Sequence, residues 1–512
     1  MRTIRNNLIR STTICLIFVC LAICVSAQVR TDNRSVLANF DKKIEDGKLS
    51  EVETDLFNYV IANPKDAKGF CVLAKLRFKQ NRLNEAKSLL NKALSLDPAL
   101  LSAKLTLAQV YFQSGEPERA REILNGINES DISDTALRFI AAQTSAQIGD
   151  CPRALILAEK LPLKNKNSEA LPLRATCYLE SGDKKNFALL IPIAKTLAKQ
   201  NPPVAVKFAV VLSKAAMHKE TADLLRLVVA AAPKDTEALL LLAKSEIGLK
   251  DFSNAKIHLA QAEKIEPKSA ELFFVKSIFE SEQGNNAQSL DLLEKSLAEN
   301  PDNIQALARF VVAALRANQN GKAVRAAERL LNLQPANLDF LYLYGIASLQ
   351  NNNAQKAETA LTKFLEARPN DSLGCLALGL TFAAQTDKLR EARAQMEKCL
   401  VINPNNYEAA YQLGLSYKVQ GESAKAIEYL EQTVRLAPDY PAALRDLGAV
   451  YLQSGGEAKA RPVLEKAVLL DPNDADTHFQ LSRLYNLIGE RELGKKHLEL
   501  FQKLKNPKKD GM

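Results

Sequence analysis

The sequence predicts an all-α chain, an α-solenoid of about 14 helix–turn–helix units, and three observations carry that expectation. Prolines stand at Pro233, Pro267, Pro301, Pro335, Pro369, Pro404, Pro438 and Pro472, spaced by 34 residues with a single interval of 35. Between them, small and large apolar residues recur at helical spacing with a turn signal midway. Counted outward, the same period fills the chain, because residues 33–508 are 476 residues long and hold 14 periods of 34.

The unit closing at Pro472 shows how each element arises. Pro441 opens it, and Leu444, Leu447, Gly448 and Tyr451 form a stripe along one face of a first helix. Gly455 and Gly456 supply a turn in which φ > 0 is open to glycine. Ala460, Leu464 and Ala467 then mark the inner face of a second helix. Asp471-Pro472 ends it, since proline pushes the residue before it out of the helical region. The small residues let the paired helices approach, and the large ones fill the space beside them. The preceding unit repeats the pattern as Leu413, Gly414, Tyr417, Gly421, Ala426, Leu430 and Pro438, and far upstream it recurs as Ala108, Tyr111, Gly115, Ala120 and Leu124.

This pattern resembles the tetratricopeptide repeat, with one departure. The chain has no Trp, and Leu444 or Cys375 takes the bulky early position. The resemblance implies a right-handed superhelix whose first helices line a concave groove, and binding of protein or peptide partners there.

Organisation follows from the period. We expect an export signal at 1–27, a short linker at 28–32, N-terminal units over 33–134 and regular units over 236–508 ending in a basic capping helix, with a tail at 509–512. Residues 135–235 match the pattern worst and carry Pro152, Pro162, Pro172, Pro192, Pro202 and Pro203. Proline inside a helix removes a hydrogen bond, so shortened helices or a bend are expected there. Two readings stand: two stiffer lobes flanking this segment, or 14 continuous, slightly irregular units. Either way no stretch remains for an appended catalytic domain.

The signal reading rests on Arg2, Arg5 and Arg10 ahead of an apolar core from Ile14 to Val25, then Val25-Ser26-Ala27 before Gln28. Cleavage is the expectation and an uncleaved N-terminal anchor the alternative, with the protein periplasmic or extracellular and no membrane span after cleavage. The formal charge of +9 falls to +6 without the three signal arginines. Lys495, Lys496, Lys503, Lys505, Lys508 and Lys509 supply most of the remainder, against Glu499 and Asp510. This reads as a solvated cap, and no nucleic-acid partner is expected. The cysteines beyond the signal, Cys71, Cys151, Cys177, Cys375 and Cys399, form no Cys-x-x-Cys pair. Buried free thiols are the expectation, with a Cys375–Cys399 bridge as the alternative, since helix phase alone does not establish bridge geometry.

No catalytic constellation is visible. His218, His258, His478 and His497 are far apart in sequence. Gly321-Lys322 lacks the rest of a phosphate loop, because Arg316 and Ala323 occupy its essential positions. No cofactor or metal is expected. The inner face of the first helices supplies the candidate groove instead: Tyr342 and Ile346, Leu376 and Leu380, Tyr411, Leu415 and Lys418, Arg445, then Phe479 and Arg483. Apolar residues suit an amphipathic helix, and Lys418, Arg445 and Arg483 an acidic segment. The function expected is a non-enzymatic scaffold that holds peptides or subunits of an envelope assembly. The alternative is a structural subunit of an envelope polysaccharide or secretion machine, and self-association is open in both.

Overall fold

The computed structural model describes residues 35–163 and 168–506. The expected signal, linker and tail lie outside the described residues, as do Lys508 and Lys509. Within them the chain is all helical, with 28 α-helices and no strand. They associate as consecutive antiparallel pairs, two to a unit, which gives the 14 units read from the period. The chain forms two compact units, one ending at Ile265 and one beginning at Glu266.

The turn inside each helix pair is set by one residue with positive φ. Gly47, Gly115, Gly149, Gly182, Gly284, Gly421, Gly455 and Gly489 take this role, as do Asn81, Ala216, Lys250, Asn318 and Asn352. The left-handed conformation recurs once per period even where glycine is absent, so the backbone register outlasts the sequence signal. The unit between Ser372 and Ile402 departs from this. There a 3₁₀ turn at Thr386–Lys388 joins helices Ser372–Ala383 and Leu389–Ile402, and this is the unit whose proline interval is 35.

Helix starts have a local cause as well. Asp66, Asp235, Asn303, Asn337, Asp371, Asn406 and Asp474 each accept a backbone N–H of the first helix that follows, meeting donors a helix leaves unpaired. The paired helices then close over small residues. A Cβ added at Gly414 would lie 2.7 Å from Leu430 and one at Gly448 would lie 2.5 Å from Leu464, both inside contact distance.

The proline-rich segment 135–235 lies wholly within the first compact unit. Pro152, Pro202 and Pro203 sit in the first positions of their helices, where a missing N–H costs nothing. Only Pro192 lies deep inside one, the 17-residue helix Lys184–Gln200. Shortening is seen in Cys151–Glu159, nine residues long. The core nevertheless runs through this stretch from Leu171 to Leu242, with Phe187 stacked on the fully buried Phe208 at 6.2 Å.

The expectation of five free thiols is corrected. Cys375 and Cys399 are joined by a disulfide with their Cα atoms 5.6 Å apart, while Cys71, Cys151 and Cys177 are buried and free. Antiparallel pairing brings a residue early in the first helix opposite one late in the second, which is the geometry a bridge requires. The bridge closes the unit whose turn departs from the rule.

Candidate protein-binding groove

In the second compact unit the first helices carry the predicted residues, but these do different things. Tyr342 packs its ring 5.4 Å from Phe364, and Ile346 joins the same cluster. Leu376 is buried, and Leu380 and Leu415 rest partly buried on the core formed by Tyr411, Tyr417 and Tyr451. Leu373, one turn before Leu376, is 64% exposed, and Phe479 is 38% exposed with its ring 5.1 Å from Phe501. Leu415 also lines an apolar cavity of about 200 Å³ with Leu389, Met396, Leu413 and Val419.

Tyr411, Lys418 and Arg445 converge on a residue that sequence reading missed, Asp446, which is only 5% exposed. Its carboxylate accepts Tyr411 Oη at 2.7 Å, Lys418 Nζ at 2.7 Å and Arg445 Nη2 at 3.2 Å. Arg445 Nη1 reaches on to Asp474 Oδ2 at 3.1 Å, and Thr477 donates to the same oxygen at 2.6 Å. Burial alone would raise the Asp446 carboxyl, but Lys418, the Tyr411 hydroxyl and Arg445 outweigh it and hold it below the usual carboxylate range. Burial chiefly, then the Asp446 charge, pushes the Tyr411 hydroxyl up.

The reading of Lys418 and Arg445 as cations free for an acidic segment is therefore corrected. Two buried or half-buried carboxylates already neutralise them. Arg483 is exposed and contacts Gln480 Oε1 at 3.1 Å, apart from this network.

The histidines also need correcting, since two that are distant in sequence meet in space. His478 Nδ1 and His497 Nδ1 are 2.8 Å apart, with the rings stacked. His478 Nε2 lies 3.0 Å from the Pro472 carbonyl, which only accepts. With both rings neutral this sets the tautomers: Nε2 of His478 carries its proton, and its Nδ1 accepts from His497. Burial first, then His478 and Lys496, lower the His497 pKa. A histidine whose folded pKa lies below its unfolded value, about 6.5, takes up its proton first in the unfolded chain. Stability is thus complete above that pH and declines as pH falls through it. We predict faster amide exchange in the helix Arg491–Lys505 at pH 5.5 than at 7.5, after correction for intrinsic rates. His497→Phe should abolish the difference, and its persistence in that variant would discard the explanation. His258 has its own partner, with Nδ1 2.7 Å from Oε2 of the buried Glu246.

A second concavity lies in the first compact unit. About 930 Å³ in volume, it is lined by Leu37, Asp41, Glu45, Asp66, Lys75 and Ile140 among others, and Lys75 pairs with Asp41 at 2.8 Å. Among the described residues no three His, Cys, Asp or Glu side chains converge as a metal site would require. No described helix is long and apolar enough to cross a membrane.

Helix pairs repeating at a fixed interval and presenting one face of their first helices define a helical-repeat protein built for binding. Sequence profiles of the tetratricopeptide repeat match residues 77–142, and also 308–372, 376–441 and 411–475. The chain is a tetratricopeptide repeat protein. Among solved structures it is similar to the Cut9–Hcn1 hetero-tetramer of the APC/C, at 17% identity and a TM-score of 0.45, covering 87% of this chain and 94% of that one. It is similar to MamA at 26% identity and a TM-score of 0.30, covering 32% and 95%. A tetratricopeptide repeat protein from Parabacteroides merdae matches at 18% identity and a TM-score of 0.42, covering 52% and 98%. No curated protein matches the sequence.

Proposed function

We propose that the protein is an exported, non-enzymatic scaffold that holds a peptide or protein segment along the inner face of its first helices, as part of an envelope assembly. The tetratricopeptide array itself supports a protein-interaction scaffold. The observation that carries the groove is the exposure of Leu373, Tyr407 and Phe479 on first helices whose Leu376, Tyr411 and Leu481 are packed. Export is supported by the Cys375–Cys399 disulfide, a bond that persists in oxidising compartments.

Charge reversal of Arg445 is a poor test, because it sets a second negative charge beside the buried Asp446, which keeps only Lys418 as a cation, and so disturbs the fold. A photo-crosslinking residue placed at Leu373 or Tyr407 probes the groove without touching that network. The same residue at Lys398, exposed on a second helix, is the control. In native cells, with fractionation to assign the compartment, Leu373 and Tyr407 should capture the same few proteins and Lys398 should not. Equal capture from all three positions, or capture only of further copies of the chain, would favour a structural spacer or homo-oligomer instead.

A further inference from the structure

Resting on that groove reading, we propose that the stretch formed by helices Leu338–Gln350, Ser372–Ala383 and Tyr407–Val419 selects a cationic side chain, a lysine or arginine of the bound segment, at the Glu408 carboxylate. Glu408 lies in the first turn of its helix and is exposed. It accepts the Tyr407 hydroxyl at 3.3 Å, and among the described residues no cation pairs with it.

Aromatic rings frame this carboxylate. Tyr407, 37% exposed, meets Tyr440 edge-on at 5.9 Å, and Tyr440 meets Tyr411 at 5.0 Å. Tyr440 stands where neighbouring units place an asparagine or aspartate cap, Asn406 and Asp474, so a ring has replaced a short polar side chain at the groove edge. Tyr342, from a unit two periods earlier, shares the neighbourhood. Burial raises its hydroxyl pKa, and Asp371 and Glu408 raise it further. Ring faces beside an uncompensated carboxylate attract cations.

Charge balance points the same way. Lys418 and Arg445 are closed on Asp446 and Asp474, and Arg368 is closed on Asp339 at 2.8 Å. Glu408 remains without a counter-ion, and so does Asp371, whose carboxylate caps the Gly374 N–H at 2.8 Å. An acidic segment would meet net negative charge here. A basic one would complete the pairing.

The test uses the full chain and three fluorescein-labelled pools of apolar hexapeptides that differ only in a fixed central residue: lysine, norleucine or glutamate. In fluorescence anisotropy the lysine pool should bind about fivefold more tightly than the norleucine pool, and the gap should narrow in high salt. Glu408→Gln should erase the difference between the lysine and norleucine pools, and Tyr440→Leu should narrow it. Equal binding of the lysine and norleucine pools would overturn the cation site while leaving the groove reading intact. Tightest binding of the glutamate pool, lost in Arg483→Ala, would overturn it in favour of an anionic ligand. Binding of no pool would remove both readings.

Discussion

Asp446→Ala lowers the stability of the C-terminal units by about 2–4 kcal/mol, because it leaves Lys418 partly buried without its carboxylate and Arg445 with Asp474 alone. The upper part of the usual range for a broken buried pair is discounted, since Lys418 and Arg445 keep some contact with water. Tyr411 loses its acceptor in the same change. The measurement is hydrogen exchange under mild denaturant, where helices Tyr407–Val419 and Pro441–Gln453 should lose protection first. The acid dependence follows from the direction of the shift. The Asp446 carboxyl is held below its ordinary pKa in the folded chain, so its stabilisation is present at neutral pH and is lost as pH falls below about 4. Unchanged protection in Asp446→Ala would mean the network is ornamental.

Replacing Cys375 and Cys399 by serine together, or reducing the bridge, is expected to cost about 3 kcal/mol. The bond spans a sequence separation of 24, and closing a loop of that size removes about this much entropy from the unfolded chain. Repeats are held by their neighbours, so the loss should appear first as local opening of helices Ser372–Ala383 and Leu389–Ile402. Denaturation with and without a reducing agent, followed by exchange at those helices, measures it. Identical curves would show that the bridge adds nothing.

Much of the architecture is legible in the period alone. Proline spacing, the glycine turns and the Leu-Gly-x-x-Tyr stripe specify which residues pair, because each acts locally: proline ends a helix, glycine permits φ > 0, and a small residue lets a leucine approach, as Gly448 does for Leu464. Turns at Ala216 and Lys250 were hidden because tertiary packing holds non-glycine residues in the left-handed region there. The groove was legible only in outline. Tyr411, Lys418 and Arg445 lie on first helices, but the network that occupies them is not visible in linear sequence. Asp446 sits beside Arg445 in sequence, yet its burial depends on how Tyr411 and Lys418, 35 and 28 residues away, reach it. His478 and His497 belong to the same class, a contact made across a helix pair that linear spacing conceals.

The regular caps and turns make groove length a matter of counting. Excising residues 304–337 would join Asn303 to Leu338. The asparagine that caps Ile304–Arg316 would then precede Leu338–Gln350, the helix for which Asn337 now serves. Each new junction would present chemistry already used elsewhere in the chain. A lineage that gains or loses whole periods could therefore lengthen or shorten its reach without inventing a new interface.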